Sequence, residues 1–186
     1  MKHYFERLMA LVILVLFLPF FLIISLMIKI NSKGKILHWS NRVGKNNKNF
    51  MMPKFRTMFV DTPQVATHLL DNPENYITKI GSFLRKSSLD EVPQLISIFS
   101  GKMSFVGPRP ALYNQKDLID LRTEYNLCEL NPGITGWAQI NGRDELSIEE
   151  KVKYEIEYKN KQSINFDLYI IFLTLIKLFK KNGISH

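Results

Sequence analysis

Two adjacent carboxylates, Asp90 and Glu91, are the side chains of this chain best suited to chemistry. Pro93 follows closely, and because proline is tolerated in the first turn of a helix but not in its interior, a helix is predicted to begin near Asp90. The amides of a first turn carry partial positive charge, which favours ionised carboxylates and can also bind a phosphate. Ser87 and Ser88 are predicted to cap this turn. Plain stabilisation of a helix start is the alternative explanation of the two carboxylates.

Cations surround this element in the sequence. Arg109 lies between two prolines, which fix its backbone and reduce the entropy lost on binding. Arg143 closes a glycine-rich stretch. Because the planar guanidinium of arginine matches phosphate oxygens in bidentate fashion, both residues are candidate phosphate ligands. Three further cations are weaker candidates, since an isolated charge is more often a solvated surface residue: Lys54, Arg56 and Arg85.

Two carboxylates among several cations predict Mg²⁺ and phosphate chemistry. Mg²⁺ prefers oxygen ligands and is usually held by one or two carboxylates, waters and substrate phosphates. We therefore expect Mg²⁺ as the cofactor, with Asp90 and Glu91 as its protein ligands. The four histidines are scattered and have no zinc-type spacing. The sequence also contains no Walker loop and no Gly-x-Ser-x-Gly nucleophile elbow.

The elements that must position these side chains are short. Residues 54–60 alternate charged and apolar side chains, the period of a half-buried strand, and residues 36–40 predict another short strand. Ser147 and Glu150 fit a capping box at the start of a helix. Residues 166–181 predict a final apolar helix, which at about 15 residues is too short to span a membrane and either lies in the interface or packs on the core. The pattern predicts an α/β fold, mostly helical with a few short strands.

A long apolar segment precedes all of these elements. In residues 8–28 only Pro19 and Ser25 are not plainly apolar, and as a helix this segment would reach roughly 30 Å, the thickness of a bilayer core. A buried helix of a soluble protein and a cleaved signal peptide are the alternatives. Lysine or arginine flanks both ends, whereas a plain span would place them on one side. Pro19 bends the helix, so either a kinked span or an anchor with both ends on one face is predicted.

The 186-residue chain carries a net charge of +8 and an apolar fraction of 46%. A basic chain of this kind can bind nucleic acid, an anionic membrane surface or a phosphorylated substrate, and the apolar segment favours the last two. The single cysteine, Cys128, excludes an internal disulfide and indicates a reducing compartment. We expect one water-facing domain attached to a membrane anchor.

Four motifs, in this order, resemble the bacterial sugar transferase family, the monotopic polyprenyl-phosphate phosphoglycosyl transferases. The motifs are KFRTM at residues 54–58, SLDEVPQL at 88–95, VGPRP at 106–110 and PGITGWAQINGR at 132–143. The resemblance extends from the apolar segment to the C-terminal helix. The chain looks like the small form of the family, such as the Campylobacter-type enzyme that starts glycan assembly for protein N-glycosylation.

The resemblance implies a reaction in which a UDP-sugar gives its sugar 1-phosphate to undecaprenyl phosphate and UMP leaves. Asp90 matches the family's nucleophile and would attack the β-phosphorus, forming a covalent aspartyl-phosphosugar. Glu91 would hold Mg²⁺, which offsets charge on the diphosphate. The implied substrate-binding set consists of Arg109, Arg143, Arg85, Lys54, Arg56, Pro108 and Gln139.

Residues 111–115 resemble members that act on N-acetylated 6-deoxy-aminosugars, including diacetylbacillosamine. A hexose or N-acetylhexosamine 1-phosphate transferase of exopolysaccharide or O-antigen assembly is the alternative within the family. Two functions without phosphosugar transfer stay open. A non-catalytic membrane-bound module that binds nucleotide sugars would need the cations but not Asp90, and a Mg²⁺-dependent hydrolase of nucleotide sugars would release free sugar phosphate.

The resemblance also implies a topology. Residues 1–30 would form a re-entrant membrane helix kinked at Pro19, and residues 31–186 a cytosolic catalytic domain with an interfacial C-terminal helix. Leu18 stands where family members often have serine, a departure that concerns the hydrogen bonds of the kink. The implied location is the cytoplasmic face of the bacterial inner membrane. The implied partners are anionic inner-leaflet lipids and downstream glycosyltransferases, with no nucleic acid.

Overall fold

The computed structural model describes residues 2–62, 71–142 and 145–180. Within them, eight α-helices and four β-strands follow one another, joined in places by 3-10 turns. The helices are α1 Lys2–Leu16, α2 Leu18–Asn31, α3 Lys79–Lys86, α4 Leu95–Phe99, α5 Lys116–Glu124, α6 Trp137–Ile140, α7 Ile148–Lys161 and α8 Ile164–Lys180. The strands are β1 Leu37–Val43, β2 Asn49–Phe55, β3 Ser104–Val106 and β4 Gly133–Thr135. The prediction of a mixed α/β fold, mostly helical with a few short strands, is confirmed.

The apolar segment folds into two helices, α1 and α2, bent by 63° relative to each other. The break falls at Phe17, and Pro19 lies in the first turn of α2, where its missing N–H costs least. No single helix in the described part of the chain is long and apolar enough to cross a membrane, but α1 and α2 together satisfy that test as a bent pair. The bend lies just before Pro19 because the proline starts a new helix rather than interrupting one.

One face of this helix pair packs on the rest of the molecule. Ala10, Ile24 and Ile28 are almost completely buried, and Nε of Arg7 donates to the carbonyl of Phe99 (2.8 Å). The opposite face leaves large apolar side chains exposed, among them Phe5, Leu8, Leu16, Leu22, Leu26 and Ile30. Exposed apolar side chains in such number on one helix pair are typical of a surface that contacts a membrane or another apolar partner.

Strands β1 and β2 form an antiparallel hairpin in which Leu37 pairs with Phe55. One of the two predicted strands corresponds to β1, but the strand predicted at residues 54–60 is displaced, since β2 ends at Phe55. The alternating residues that follow leave the ladder because they bind the start of α3. There, the carbonyl of Thr57 accepts a hydrogen bond from the amide of Thr78 (3.0 Å). The hairpin therefore ends just before the residues that bind the N-terminus of α3.

Strands β3 and β4 form a parallel pair in which the backbones approach very closely. A Cβ atom placed on Gly107 would lie 2.2 Å from the carbonyl oxygen of Asn131, and one on Gly133 would lie 2.2 Å from the amide nitrogen of Gly107. Only glycine permits such an approach. The segment that leaves β3 and carries Arg109 is therefore fixed against β4 by its backbone.

Helices α7 and α8 cover one side of these strands. The predicted capping box of α7 is confirmed: the hydroxyl of Ser147 accepts from the amide of Glu150 (3.2 Å), and the carboxylate of Glu150 accepts from the amide of Ser147 (2.9 Å). Helix α8 buries Ile170 completely and leaves Leu168 and Phe172 exposed. One face of α8 thus packs on the core, and the other face leaves apolar side chains exposed; the predicted interfacial position of this helix stays a prediction.

Candidate active site

The two carboxylates lie on a 3-10 turn, Leu89–Gln94, that leads directly into α4. The helix start predicted near Asp90 is therefore present, but as a tighter turn that contains Pro93. The predicted serine caps are wrong. Ser88 adopts a left-handed conformation (φ 58°) with no side-chain cap, and the hydroxyl of Ser87 donates back into the last turn of α3. Both serines close α3 because the left-handed residue reverses the chain before the next turn begins.

Two cations hold the Glu91 carboxylate. Its Oε1 accepts from Nζ of Lys54 (3.0 Å) and from Nη2 of Arg109 (2.8 Å). Nη1 of Arg109 lies 3.4 Å from Oε2, so the guanidinium faces both carboxylate oxygens. The three side chains come from β2, from the 3-10 turn and from the segment after β3. The structure thus brings together three residues that the sequence separates by up to 55 positions.

The Asp90 carboxylate has a different environment. It is 9% exposed, and among the described residues it takes part in no ion pair. Burial raises the pKa of Asp90, and the negative charge of Glu91 raises it further, while Lys54, Arg85 and Arg109 oppose this rise. The sequence predicted the opposite direction from a helix N-terminus. The short 3-10 turn provides little of that favourable field, whereas loss of solvent and a neighbouring carboxylate dominate.

Lys54 connects the hairpin to the carboxylates. Burial lowers the pKa of Lys54, an effect that the negative charge of Glu91 counteracts and the positive charge of Arg109 reinforces. Only 17% of the Lys54 side chain is exposed. A buried ammonium needs a partner, and Glu91 supplies it. Strand β2 therefore delivers one cation to the site in a fixed position.

Arg85 reaches the site from α3. Its Nε donates to the hydroxyl of Thr57 (2.9 Å), and its charge lowers the pKa of Asp90. Helix α3 can approach this closely because Gly81 packs on the Thr57 backbone, where a Cβ atom would lie 2.0 Å from the carbonyl oxygen. Thr78 caps the helix by accepting from the amide of Gly81 (3.0 Å). Arg85 is thus placed beside Asp90 by two contacts with one threonine.

The structure does not bring every candidate residue to the carboxylates. Arg56 instead donates to the carbonyls of Lys33 (2.6 Å) and Ser32 (3.0 Å), directly after α2. Pro108 contributes its backbone carbonyl to the β3–β4 contact. Gln139 lies in α6 with both side-chain amide atoms buried and, within the described residues, without a hydrogen-bond partner. Arg143 lies outside the described residues, so its predicted role stays a prediction.

Sequence reasoning missed a buried ion pair near the site, Arg122 with Glu155. Nη2 of Arg122 donates both to Glu155 and to the carbonyl of Arg109. The available signal was weak: Arg122 lies one helical turn after Leu118, on a helix face that also carries apolar residues. His38 was also missed. It lies opposite Lys54 in the hairpin, and burial together with the charge of Lys54 lowers its pKa.

Asp90 and Glu91 have the side-chain chemistry of ligands for a hard metal ion. Within the described residues no group of three or more His, Cys, Asp or Glu side chains could hold a metal ion. Asp90 and Glu91 nevertheless offer two hard oxygen donors, the set that Mg²⁺ uses together with waters and substrate phosphates. Because Oε1 of Glu91 already accepts from two cations, a bound ion would share or replace these contacts. These two residues fit Mg²⁺ that arrives with a phosphorylated substrate, and the cofactor stays a prediction.

A buried carboxylate beside cations that can bind phosphate is the arrangement of a group-transfer enzyme. The chain belongs to the bacterial sugar transferase family, whose model matches residues 1–181. The family predicted from the four motifs is therefore confirmed.

Relatives named for an activity support the same family. The UDP-glucose:undecaprenyl-phosphate glucose-1-phosphate transferase of Escherichia coli (strain K12) is 39% identical over 187 residues, 96% of this chain and 40% of that protein. The exopolysaccharide production protein ExoY of Rhizobium meliloti (strain 1021) is 36% identical over 189 residues, 94% of this chain and 83% of that protein. The undecaprenyl-phosphate glucose phosphotransferase of Komagataeibacter xylinus is 36% identical over 196 residues, 98% of this chain and 36% of that protein. The chain thus spans less than half of two of these relatives and most of the third.

Proposed function

We propose that this protein transfers a sugar 1-phosphate from a UDP-sugar to undecaprenyl phosphate and releases UMP. The observation that carries the proposal is the contrast between the two carboxylates. Glu91 is held by Lys54 and Arg109, whereas Asp90, with no ion pair among the described residues, is buried beside the same cations. A nucleophile needs an available lone pair, and cations next to it must bind the phosphates that it attacks.

The reaction proceeds in two displacements at one phosphorus atom. An oxygen of ionised Asp90 attacks the β-phosphorus of the UDP-sugar, and the bond from that phosphorus to the bridging oxygen breaks, so that UMP leaves with its electron pair. The product is an aspartyl-phosphosugar. A phosphate oxygen of undecaprenyl phosphate then attacks the same phosphorus, and Asp90 leaves as a carboxylate. One phosphoryl bond is exchanged for another in each step, so no further energy source is required.

The cationic residues of the site stabilise the negative charges of the donor phosphates and of Asp90. Arg109 and Lys54 would exchange part of their contact with Glu91 for donor phosphate oxygens, and Arg85 would stabilise the ionised form of Asp90. Mg²⁺, when held by Asp90 and Glu91 with the donor phosphates, would supply the positive charge that stabilises the departing UMP. Four further substrate-binding candidates rest on the family resemblance alone: Arg143, Arg56, Pro108 and Gln139.

A membrane location follows from the substrate and from the helix pair. Both ends of the pair contact the same globular part. Near the start of α1, Nζ of Lys2 lies 2.6 Å from the carboxylate of Asp167, and after α2 the carbonyl of Ser32 accepts from Arg56. A plain span would place these two ends on opposite sides of a bilayer. We therefore propose a re-entrant anchor, with the active site at the cytoplasmic face of the bacterial inner membrane.

The donor sugar has two candidates. The relatives named for their donor use UDP-glucose, whereas residues 111–115 resemble members that act on N-acetylated 6-deoxy-aminosugars. A panel of UDP-sugars with undecaprenyl phosphate, scored by UMP release with and without Mg²⁺, separates them. Sugar diphosphate on the lipid identifies a transferase, free sugar phosphate identifies a hydrolase, and no UMP release with any donor indicates a binding module.

The decisive variant is Asp90→Asn. Because its amide cannot form the acyl phosphate, UMP release is expected to fall by at least about 10³-fold. Wild-type protein incubated with the active donor and no lipid should gain the mass of one sugar phosphate on the peptide that contains Asp90. Asp117→Asn, an exposed aspartate of α5, is the matched control and should leave both measurements unchanged. Unaltered turnover in Asp90→Asn would refute the covalent mechanism.

A further inference from the structure

We propose that Arg122 and Glu155 are positioning residues that hold Arg109 against the carboxylate pair. The inference rests on the proposed function, in which Arg109 binds the donor phosphates. It concerns a part of the molecule that lies behind Arg109, where two helices from the C-terminal half meet the segment that follows β3.

Every carbonyl in the segment 108–111 accepts a hydrogen bond. An irregular segment has no strand or helix partner to satisfy these acceptors, and its two prolines contribute no N–H, so the donors must come from other parts of the chain. The four donors come from three separate places. The Gly133 amide of β4 donates to Pro108 (2.9 Å) and Nη2 of Arg122 to Arg109 (3.0 Å), while β1 supplies both Nη1 of Arg42 to Pro110 (3.2 Å) and the Val43 amide to Ala111 (2.9 Å). The backbone of Arg109 is thus fixed on both sides.

The donor to Arg109 itself is the least mobile of the side-chain donors. Arg122 is 8% exposed and Glu155 is 2% exposed. Nε and Nη2 of Arg122 donate to the two oxygens of Glu155 at 2.7 Å and 2.5 Å, a fork-to-fork pair. Since both side chains are buried and joined by two hydrogen bonds, the guanidinium has little freedom. The second N–H of the same Nη2 is directed at the Arg109 carbonyl.

A buried ion pair is a poor way to gain stability alone, because removing two charges from water offsets most of their attraction. Apolar residues of similar volume could join α5 to α7 equally well. They could not supply a directional donor to the carbonyl of Arg109. The geometry therefore points to placement of Arg109, whose guanidinium lies 2.8 Å from Glu91 at the other end of the residue.

The sharpest variant is Arg122→Lys. Lysine keeps the charge that pairs with Glu155, but it lacks the planar fork that reaches Glu155 and Arg109 together. A displaced Arg109 would bind the donor diphosphate poorly and stabilise its reaction poorly. We expect kcat/KM for UMP release to fall by between about 10-fold and 100-fold, and the affinity for UDP to weaken in parallel. The thermal unfolding midpoint is expected to fall as well, because buried acceptors of Glu155 and Arg109 lose donors.

A double-mutant cycle with Arg109→Ala separates positioning from general damage. If Arg122 acts through Arg109, Arg122→Lys should reduce kcat/KM and UDP affinity by less than about twofold in the Arg109→Ala background. Equal reductions in both backgrounds would overturn the proposal. Glu155→Gln serves as a second variant and should show the same coupling. Asp167→Asn removes another buried carboxylate, one that forms no hydrogen bond or ion pair with segment 108–111 among the described residues, and it controls for lost stability.

The outcomes also separate this inference from the proposed function. If Arg109→Ala leaves both turnover and UDP affinity unchanged, the phosphate-binding role of Arg109 is wrong, and the inference is overturned with it. If the wild-type chain releases no UMP with any donor, the cycle is measured on UDP affinity alone. Coupling between Arg122 and Arg109 in that measurement supports the positioning role, and additivity contradicts it.

Discussion

Asp90 is placed where a negative charge is disfavoured by burial and by the neighbouring Glu91, and both raise its pKa. Three cations reduce that effect without forming an ion pair with Asp90 among the described residues. A carboxylate held by a strong ion pair would be a weak nucleophile, since its lone pairs would already be engaged. The poor solvation of Asp90 is therefore compatible with reactivity, and it should have a measurable cost in stability.

That cost predicts a pH-dependent effect of Asp90→Asn on stability. A carboxyl whose folded pKa is raised binds its proton more tightly in the folded state, so stability falls as pH rises from the unfolded value, about 3.8, through the folded value. Asparagine has no such dependence. We expect Asp90→Asn to raise the unfolding midpoint at pH 7, with a gain that disappears toward pH 4, measured by thermal unfolding in EDTA. A variant less stable than wild type at pH 7 would contradict the direction of this pKa shift.

The connection between α3 and the 3-10 turn sets the position of both carboxylates. It depends on Ser88, whose left-handed backbone is one that glycine adopts freely and other residues adopt at a cost. The amide of Ser88 bonds to the carbonyl of Arg85 (3.1 Å), and the carbonyl of Ser88 accepts from the amide of Glu91 (3.2 Å). A single strained residue thus joins one cation of the site to both acids.

Substitutions at Ser88 should follow backbone preference rather than side-chain chemistry. Ser88→Gly removes left-handed strain of about 1–2 kcal/mol, partly offset by greater unfolded-state entropy, so the unfolding free energy should hold or rise slightly. Ser88→Val should lower the unfolding free energy by about 1–3 kcal/mol and reduce UMP release. Denaturant unfolding measures both. Ser100→Val, at a serine with ordinary helical backbone (φ −74°), is the control and should have a small effect.

Elements with local signals were predictable from the sequence, and those set by distant contacts were not. The capping box of Ser147 and Glu150 is contained within four residues, and it located the start of α7. The alternation after residue 54 misplaced a strand because Thr57 turns away to hold α3. The acids were found from their spacing to Pro93, and Arg109 and Lys54 were named as candidate phosphate ligands. Their pairing with Glu91 was not predicted, because Glu91 and Arg109 meet only after β3, β4 and the hairpin have assembled.

The start of α1 and the end of α2 both contact the globular part of the molecule. In a bilayer, both ends of the helix pair are therefore expected on the same side. In a Cys128→Ser background, cysteines introduced at Tyr4 and Lys35, both exposed, are expected to react with a membrane-impermeant maleimide from the same side. Inverted membrane vesicles should show labelling at both positions, and intact spheroplasts at neither. Labelling at one position in each preparation would restore a kinked span. A cysteine at exposed Lys116 reports the side of the globular part.

Because the helix pair bends at Phe17, its insertion into lipid would not require any polar segment to cross the bilayer. Residues 8–28 carry no charged side chain, so a helix pair that returns to its own side would transfer no ionised group and no hydrophilic loop across the bilayer. Lipid demands that backbone donors and acceptors be satisfied internally. Hydrogen bonds from Phe17 to Ile13 and from Phe21 to Phe17 (both 2.9 Å) continue on either side of the bend. Such an anchor could enter one leaflet after the globular part has folded, without a translocation step.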